Sequence, residues 1–474
     1  MKKGKLNLLN GKRIASRLSF VLVLLGLFTV QAFSKNYNVI DFGAKADGIT
    51  KDTKAVQSAI NACTENGGGT VLIPGGKTVV IGTIYLKDFV TLHVENGAVL
   101  LGSPDISDYA NDTHKNMYKN EPHMDKCLIF AKDVKSFAIE GYGTIDGNGH
   151  QKFFNGKTGR PMMMRFLNCS DIHMNNITLV NPAAWTSAWL YCNEISINGI
   201  RIHSRSNNNG DGLDFDGCTN VRVSNCSFDN SDDSICLQSS SKDKPCKDVV
   251  ISNCIFETKW GGMRIGLMSQ GDFESVTVTN CTFKNIQDSG LKIQMNEGGA
   301  MKNMTFSNLV MKNVPRPIFM TFCQQRAGDN TPEEMFPMKE MKNFTFQNII
   351  VDNTELDKNS AFLFSGLLGH NIENIILKDI QFFVSGGGTK EDATKTDLNE
   401  YTLETLKGWW PEFSLVGTLP ASGVYMRHME NVFIENFHLT VVGDDARKPI
   451  ILNDVTNGNV EKFYLNGKKI NYKN

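Results

Sequence analysis

Acidic residues bunch at two places near the middle of the chain. Asn209-Gly210-Asp211-Gly212-Leu213-Asp214-Phe215-Asp216 is followed fifteen residues on by Ser231-Asp232-Asp233. Two carboxyl groups flanking one bond can split a glycosidic linkage. One, protonated, gives its proton to the leaving oxygen, and the other acts as base or nucleophile. Mutual repulsion and partial desolvation raise one of the two pKa values, which keeps a proton available near neutral pH. The same acids (Asp211, Asp214, Asp216, Asp232 and Asp233) could instead gather around calcium through oxygen ligands. Asn-Gly-Asp-Gly taken alone is only a turn signal.

What favours chemistry is the way four segments can be laid over one another. They read Gly212-Leu213-Asp214-Phe215-Asp216, Ser234-Ile235-Cys236-Leu237-Gln238, Gly262-Met263-Arg264-Ile265-Gly266 and Gly290-Leu291-Lys292-Ile293-Gln294. The second and fourth places are apolar and should face inward, which leaves the third and fifth for solvent or a ligand. The third column is Asp214, Cys236, Arg264 and Lys292. Asp211 and Asp233 precede the first two rows, so they should lie about one strand spacing, ~4.8 Å, apart. Two cations then follow on the next two rows.

The elements that must hold these rows are strands. Val221-Arg222-Val223-Ser224-Asn225-Cys226-Ser227-Phe228 is echoed by Val249 to Phe256 and by Val276 to Phe283, with the central Asn at 225, 253 and 280. Weaker copies surround Asn176, Gly199, Asn308, Asn348, Asp379 and Asn436. Alternation of period two with β-branched residues specifies strands. Asn between them marks a bend, since it tolerates the left-handed backbone region. Strands, bends and a period in the twenties describe a coil that stacks on itself, a right-handed parallel β-helix. Leu-x-x-Leu-x-Leu, the mark of a leucine-rich solenoid, is missing. The run Lys51 to Asn61 has helical spacing with Asp52 or Thr53 as its cap, and should close the N-terminal end of the stack. Residues 384–424 break the repeat with Gly386-Gly387-Gly388 and Gly408-Trp409-Trp410-Pro411. This reads as an inserted loop whose two Trp either stack on sugar or simply anchor it.

The N-terminus is basic, with Lys2, Lys3, Lys5, Lys12, Arg13 and Arg17, then apolar from Phe20 to Val30, then small around Ala32-Phe33-Ser34. This is the layout of a secretory signal peptide over residues 1–34, too short in its apolar part for a comfortable membrane span. Residues 35–474 then form one catalytic domain, exported to the periplasm or beyond and free of the membrane. The chain has 49 basic and 50 acidic residues, and the leader holds six of the former and none of the latter, so the mature net charge is near −7. That disfavours a nucleic-acid partner. Eleven Cys, an odd number, leave at least one thiol free or paired between chains. Their positions in repeat strands favour small buried side chains.

Asn209-Gly210-Asp211 with Ser231-Asp232-Asp233 resembles the Asn-Thr-Asp and Gly-Asp-Asp motifs of the polygalacturonase-like glycoside hydrolases, family 28. Val39-Ile40-Asp41-Phe42-Gly43-Ala44, the Gly141–Gly149 stretch and Asn181-Pro182-Ala183-Ala184-Trp185 are similar to family segments too. The resemblance implies metal-free, cofactor-free, inverting hydrolysis of galacturonic-acid-containing polymers by a monomer. Asp232 would be the general acid, and Asp211 and Asp233 would position and deprotonate the water. Asn209, Trp260, Arg264, Lys292 and Gln294 would contact substrate. Two departures stand out. Trp260 occupies the place of the family's His, and Lys292-Ile293-Gln294 replaces Arg-Ile-Lys. Arg264, one coil before Lys292, could restore a carboxylate clamp. Arg316 and Arg326 either extend that basic subsite or are solvated charges. These departures point away from plain polygalacturonan and toward another galacturonosyl linkage. Two further functions fit the same scaffold: a calcium-assisted polysaccharide lyase with Arg264 or Lys292 as base, and a carbohydrate-binding β-helix without catalysis.

Overall fold

A computed structural model describes residues 35–115, 122–156, 159–323, 339–407 and 409–472. The proposed leader and Arg326 lie outside the described residues. The chain winds as a right-handed parallel β-helix. In its central part each coil contributes three strands. Ser187–Leu190, Asn193–Asn198 and Arg201–Ser204 form one coil, and Leu213–Asp216, Thr219–Ser224 and Ser227–Asn230 form the next. Each strand pairs in parallel with its equivalents in the coils above and below, so three parallel ladders run along the central part of the stack.

The repeat read from sequence sets the register. Val221 pairs with Val249 and Val249 with Val276, while Val223, Ile251 and Val278 form the neighbouring inward column. Phe228, Phe256 and Phe283 stack inside, with ring centroids 5.1 and 4.7 Å apart. Asn176, Asn225, Asn253, Asn280, Asn308, Asn348, Asp379 and Asn436 all have positive φ between 51° and 58°. Gly199 takes the same role at 69°. The bends also bond to each other along the axis. Asn253 Nδ2 donates to Asn225 Oδ1 at 3.3 Å, and Asn348 Nδ2 to Asn308 Oδ1 at 2.8 Å. A side chain that tolerates the left-handed region and also satisfies its neighbour's amide explains why Asn recurs there.

The helix Thr53–Glu65 covers the N-terminal end, burying Val56, Ala59, Ile60 and Cys63. Asp52 precedes it but does not cap it with its side chain. Its two oxygens accept instead from the N–H groups of Lys45 and Ala46, each at 2.8 Å, tying down the preceding loop. All eleven Cys are buried and unbridged. Between the strands Ile372–Val384 and Ala421–Val441 the chain leaves the coil and forms short helices at Lys390–Ala393 and Leu403–Leu406, each with a Thr capping box. Among the described residues no helix is long and apolar enough to cross a membrane.

Candidate active site

The candidate acids and the cations of the stacked rows lie at one corner of the coil or on the strands beside it. The corner is the short link from the third strand of one coil to the first strand of the next. It carries Asp211 after Arg201–Ser204, then Asp232 and Asp233 between Ser227–Asn230 and Ile235–Ser239. It continues with Trp260 before Gly261–Ser269 and Asp288 before Ser289–Met295. Backbone bonds lock these links in step: Gly212 N donates to Asp233 O at 3.0 Å, and Ser234 N to Gly261 O at 2.9 Å. Gly212 is required there, because a Cβ would stand 2.2 Å from Ser234 O. Ser231 Oγ rivets the two acid-bearing links, donating to Asn207 O at 2.6 Å and accepting from Gly210 N at 3.1 Å.

The acids converge. Carboxylate oxygens of Asp211 and Asp233 and the Cys236 Sγ lie within 4.8 Å of one another. Asp211 and Asp233 are buried, whereas Asp232 keeps part of its surface open. Burial first, and the charge of Asp233 second, push the Asp232 carboxyl up to about 7. Asp233 is held on both oxygens: Gly261 N–H donates to Oδ1 at 2.9 Å, and Arg264 Nη1 to Oδ2 at 3.2 Å. One carboxyl that holds a proton near neutral pH beside a second that is ion-paired is the asymmetry acid/base hydrolysis requires.

The five acids do not gather at one point: among the described residues, Asp211, Asp233 and Cys236 are the group whose ligand atoms come within 4.8 Å of one another. Burial drives Asp214 well above the carboxylate range, against the opposing Cys236 thiol and with reinforcement from Asp233 and Asp232. Asp216 is engaged by Ser240, whose N–H donates to it at 2.7 Å. The third group near Asp211 and Asp233 is a thiol, which calcium does not select.

The third-place column holds residue by residue: Asp214 pairs with Cys236, Cys236 with Arg264, and Arg264 with Lys292. The expectation that it meets solvent or ligand is corrected. Arg264 is 6% exposed, and Lys292 and Gln294 are fully covered. The cover is the segment inserted between Val384 and Ala421. Glu412 puts one carboxylate oxygen on Lys292 Nζ and the other 3.9 Å from Arg264 Nη2. Asp288 holds Lys292 from the other side at 3.0 Å. Burial alone would lower the Lys292 ammonium, but Asp288 and Glu412 outweigh it and hold it above its ordinary range. Gln294 accepts from Arg264 Nη2 at 3.2 Å and donates to Pro411 O at 2.6 Å. The shifted clamp therefore exists as a cation pair, but an internal carboxylate fills it. Alternation along a strand says which face a side chain takes. It does not say what chain, 120 residues later, covers that face.

Trp260 is 38% exposed on the rim, its ring 5.2 Å from Lys292 Nζ. The group touching Asp233 is Arg264, with the Gly261 amide. A Cβ at Gly261 would lie 2.4 Å from Asp233 Oδ1, so no larger residue fits there in this arrangement. Trp409 and Trp410 also present exposed surface, and Arg316 stacks on Phe413 at 4.3 Å.

On the N-terminal side of the acids lies a cavity of about 370 Å³, lined by His123, Gln151, Asn155, Arg160, Asn207 and Asn208. Asn209 stands at its edge with φ 49°, accepting from Arg160 Nη2 at 2.7 Å. Arg160 Nη1 also donates to Asn208 O at 2.9 Å. Sequence reasoning found Asn209 but missed Arg160 and Glu412, which sit outside the repeat. Asp288 was within reach, since it stands two places before its row as Asp232 stands before its own.

Comparison with known proteins identifies the family. The family described as "Glycosyl hydrolases family 28" matches residues 109–395. A probable polygalacturonase of Vitis vinifera is 26% identical over 455 residues, covering 88% of this chain and 90% of the relative. The exo-poly-alpha-D-galacturonosidase of Dickeya chrysanthemi is 26% identical over 443 residues, covering 80% and 72%. The solved family 28 exopolygalacturonase of Yersinia enterocolitica superposes with a TM-score of 0.67 at 22% identity, covering 93% of this chain and 80% of that one. A solenoid of this register, with clustered acids at one corner and a family match over most of its length, belongs to the family 28 glycosyl hydrolases.

Proposed function

We propose that this enzyme hydrolyses α-galacturonosyl linkages in pectic polysaccharides or oligosaccharides with Asp232 as general acid. The observation that carries the reading is the Asp232 carboxyl, raised to about 7 and still open to the cleft, beside Asp211 and Asp233. Asp232 protonates the leaving oxygen while Asp211 and Asp233 hold and deprotonate the attacking water. The pair with oxygens within 4.8 Å is the water-holding pair. Their closeness is thus not the acid-to-nucleophile spacing of about 5–5.5 Å that marks retention, and inversion is the expected course. The cavity beside Asn209 receives the galacturonosyl ring, with Arg160 as the cation for its carboxylate. Trp260 and the exposed Trp409 and Trp410 offer stacking faces.

Residues 1–34 serve as a signal peptide, the mature domain of residues 35–474 acts as a monomer outside the cytoplasm, and pectin is met there. Asp232→Asn and the parent enzyme, incubated with galacturonate oligosaccharides, test the catalytic reading. New reducing ends from the parent, with inverted anomeric configuration by NMR and none from the variant, support it. An unsaturated uronate product, read by its ultraviolet absorbance, would convert the reading to a lyase.

A further inference from the structure

Glu412 is a carboxylate set where a substrate carboxylate would bind. Its two oxygens face Lys292 and Arg264, the cations of the column that runs past the acids. Nothing in the reaction calls for it. The cations around it are already engaged: Arg264 by Asp233, Lys292 by Asp288 and Glu412, and Arg316 by the charges of Asp288 and Asp357. A further carboxylate would enter with no spare cation, and Gln294, the nearby amide donor, is committed to Pro411 O.

The segment that carries Glu412 is built in. Tyr401 and Phe413 are buried, and Phe413 packs edge-on against Phe319 with centroids 6.0 Å apart. Tyr401 Oη donates to Glu412 O at 3.3 Å. Arg427, on the body of the solenoid, donates to Leu398 O at 2.8 Å and Asn399 O at 2.6 Å. So many fixed contacts make Glu412 part of the wall. Its Oε1 is buried and receives no hydrogen bond. A buried carboxylate oxygen left in that state gains by meeting a hydroxyl donor, and a second carboxylate has none to give.

The geometry points to Glu412 as a specificity residue: it closes this flank to uronate carboxylates, so the sugar unit bound there is uncharged. The substrate is then a galacturonosyl unit joined to an uncharged neighbour, either a neutral sugar or a uronate esterified at its carboxyl. This inference rests on the hydrolase reading above and goes beyond it by naming what sits on each side of the bond.

Three probes test it: trigalacturonate, its fully methyl-esterified form, and a galacturonosyl unit α-linked to a neutral sugar. The parent enzyme should favour one or both uncharged-neighbour probes over trigalacturonate by at least tenfold in kcat/KM, and whichever is faster identifies the source. Glu412→Gln keeps the shape and removes the charge. It should narrow that ratio at least tenfold, chiefly through a lower KM for trigalacturonate. Should the variant fold poorly, the parent ratios decide alone. A parent that prefers trigalacturonate overturns the role of Glu412 and leaves the hydrolase reading standing, as does an unchanged ratio in a folded variant. Failure to cleave any of the three removes the hydrolase reading itself.

Discussion

The two flanks of the acid cluster each carry an arginine, and they differ in what meets it. On the N-terminal flank Arg160 faces a cavity of about 370 Å³ and bonds a carbonyl and the Asn209 amide oxygen. Among the described residues lining that cavity there is no acid. On the C-terminal flank Arg264 and Lys292 are pinned by Asp233, Asp288 and Glu412. Arg160 and Arg264 are comparably buried, and a guanidinium beside an open cavity differs from its counterpart in having room for a ligand next to it. One paired in a covered site has become part of the scaffold, and its charge is no longer on offer.

The largest effect should fall between the flanks. Asp232→Asn removes the proton donor and should lower kcat by about 10²–10⁴-fold, with the fold intact by circular dichroism. In the parent enzyme kcat should fall as pH rises through about 7, where Asp232 loses its proton. The stability effect has a defined sign. Asp232 and Asp216 are both raised in the folded state, to about 7 and about 6. Each therefore contributes stability that is full below the unfolded carboxyl pKa of about 4. That contribution is lost as pH rises through the folded values. Calorimetry should show Asp232→Asn melting above the parent at pH 8, with the gap closing near pH 4.

Next come the cations, where the comparison can break. Lys292→Met leaves Asp288 and Glu412 buried without their partner and should cost about 3–5 kcal/mol of stability in denaturant titration. Arg160→Gln should instead spare stability and raise KM for galacturonosyl substrates about tenfold or more, the worth of a hydrogen bond to a charged group, ~1.5–3 kcal/mol. If both substitutions act on folding, or both on KM, the distinction between the flanks fails.

The smallest effect lies away from the site. Asn253→Ala places a residue with a Cβ and no local acceptor at φ 56° and should cost about 1–2 kcal/mol. Asn253→Gly loses only the bond to Asn225 and should cost less. Equal losses would mean that the ladder bond, and not backbone tolerance, selects Asn.

The fold was legible because it is a local rule repeated. Alternation, Asn at the bend and a period near 27 each act over a few residues, and stacking follows from them. Asp211, Asp232 and Asp233 were legible for the same reason: they recur at one edge of adjacent rows, and a period converts sequence position into axial neighbourhood. The order Asp214, Cys236, Arg264, Lys292 was readable to the residue. What covers that column was not. Glu412 reaches Lys292 from 120 positions away, through a segment with no repeat to index it. Arg160 reaches Asn209 across 49, also from outside the repeat. Periodicity determines which residues share a face, because it is set by backbone geometry. Which charges on that face remain available is settled by partners that only the folded chain brings together.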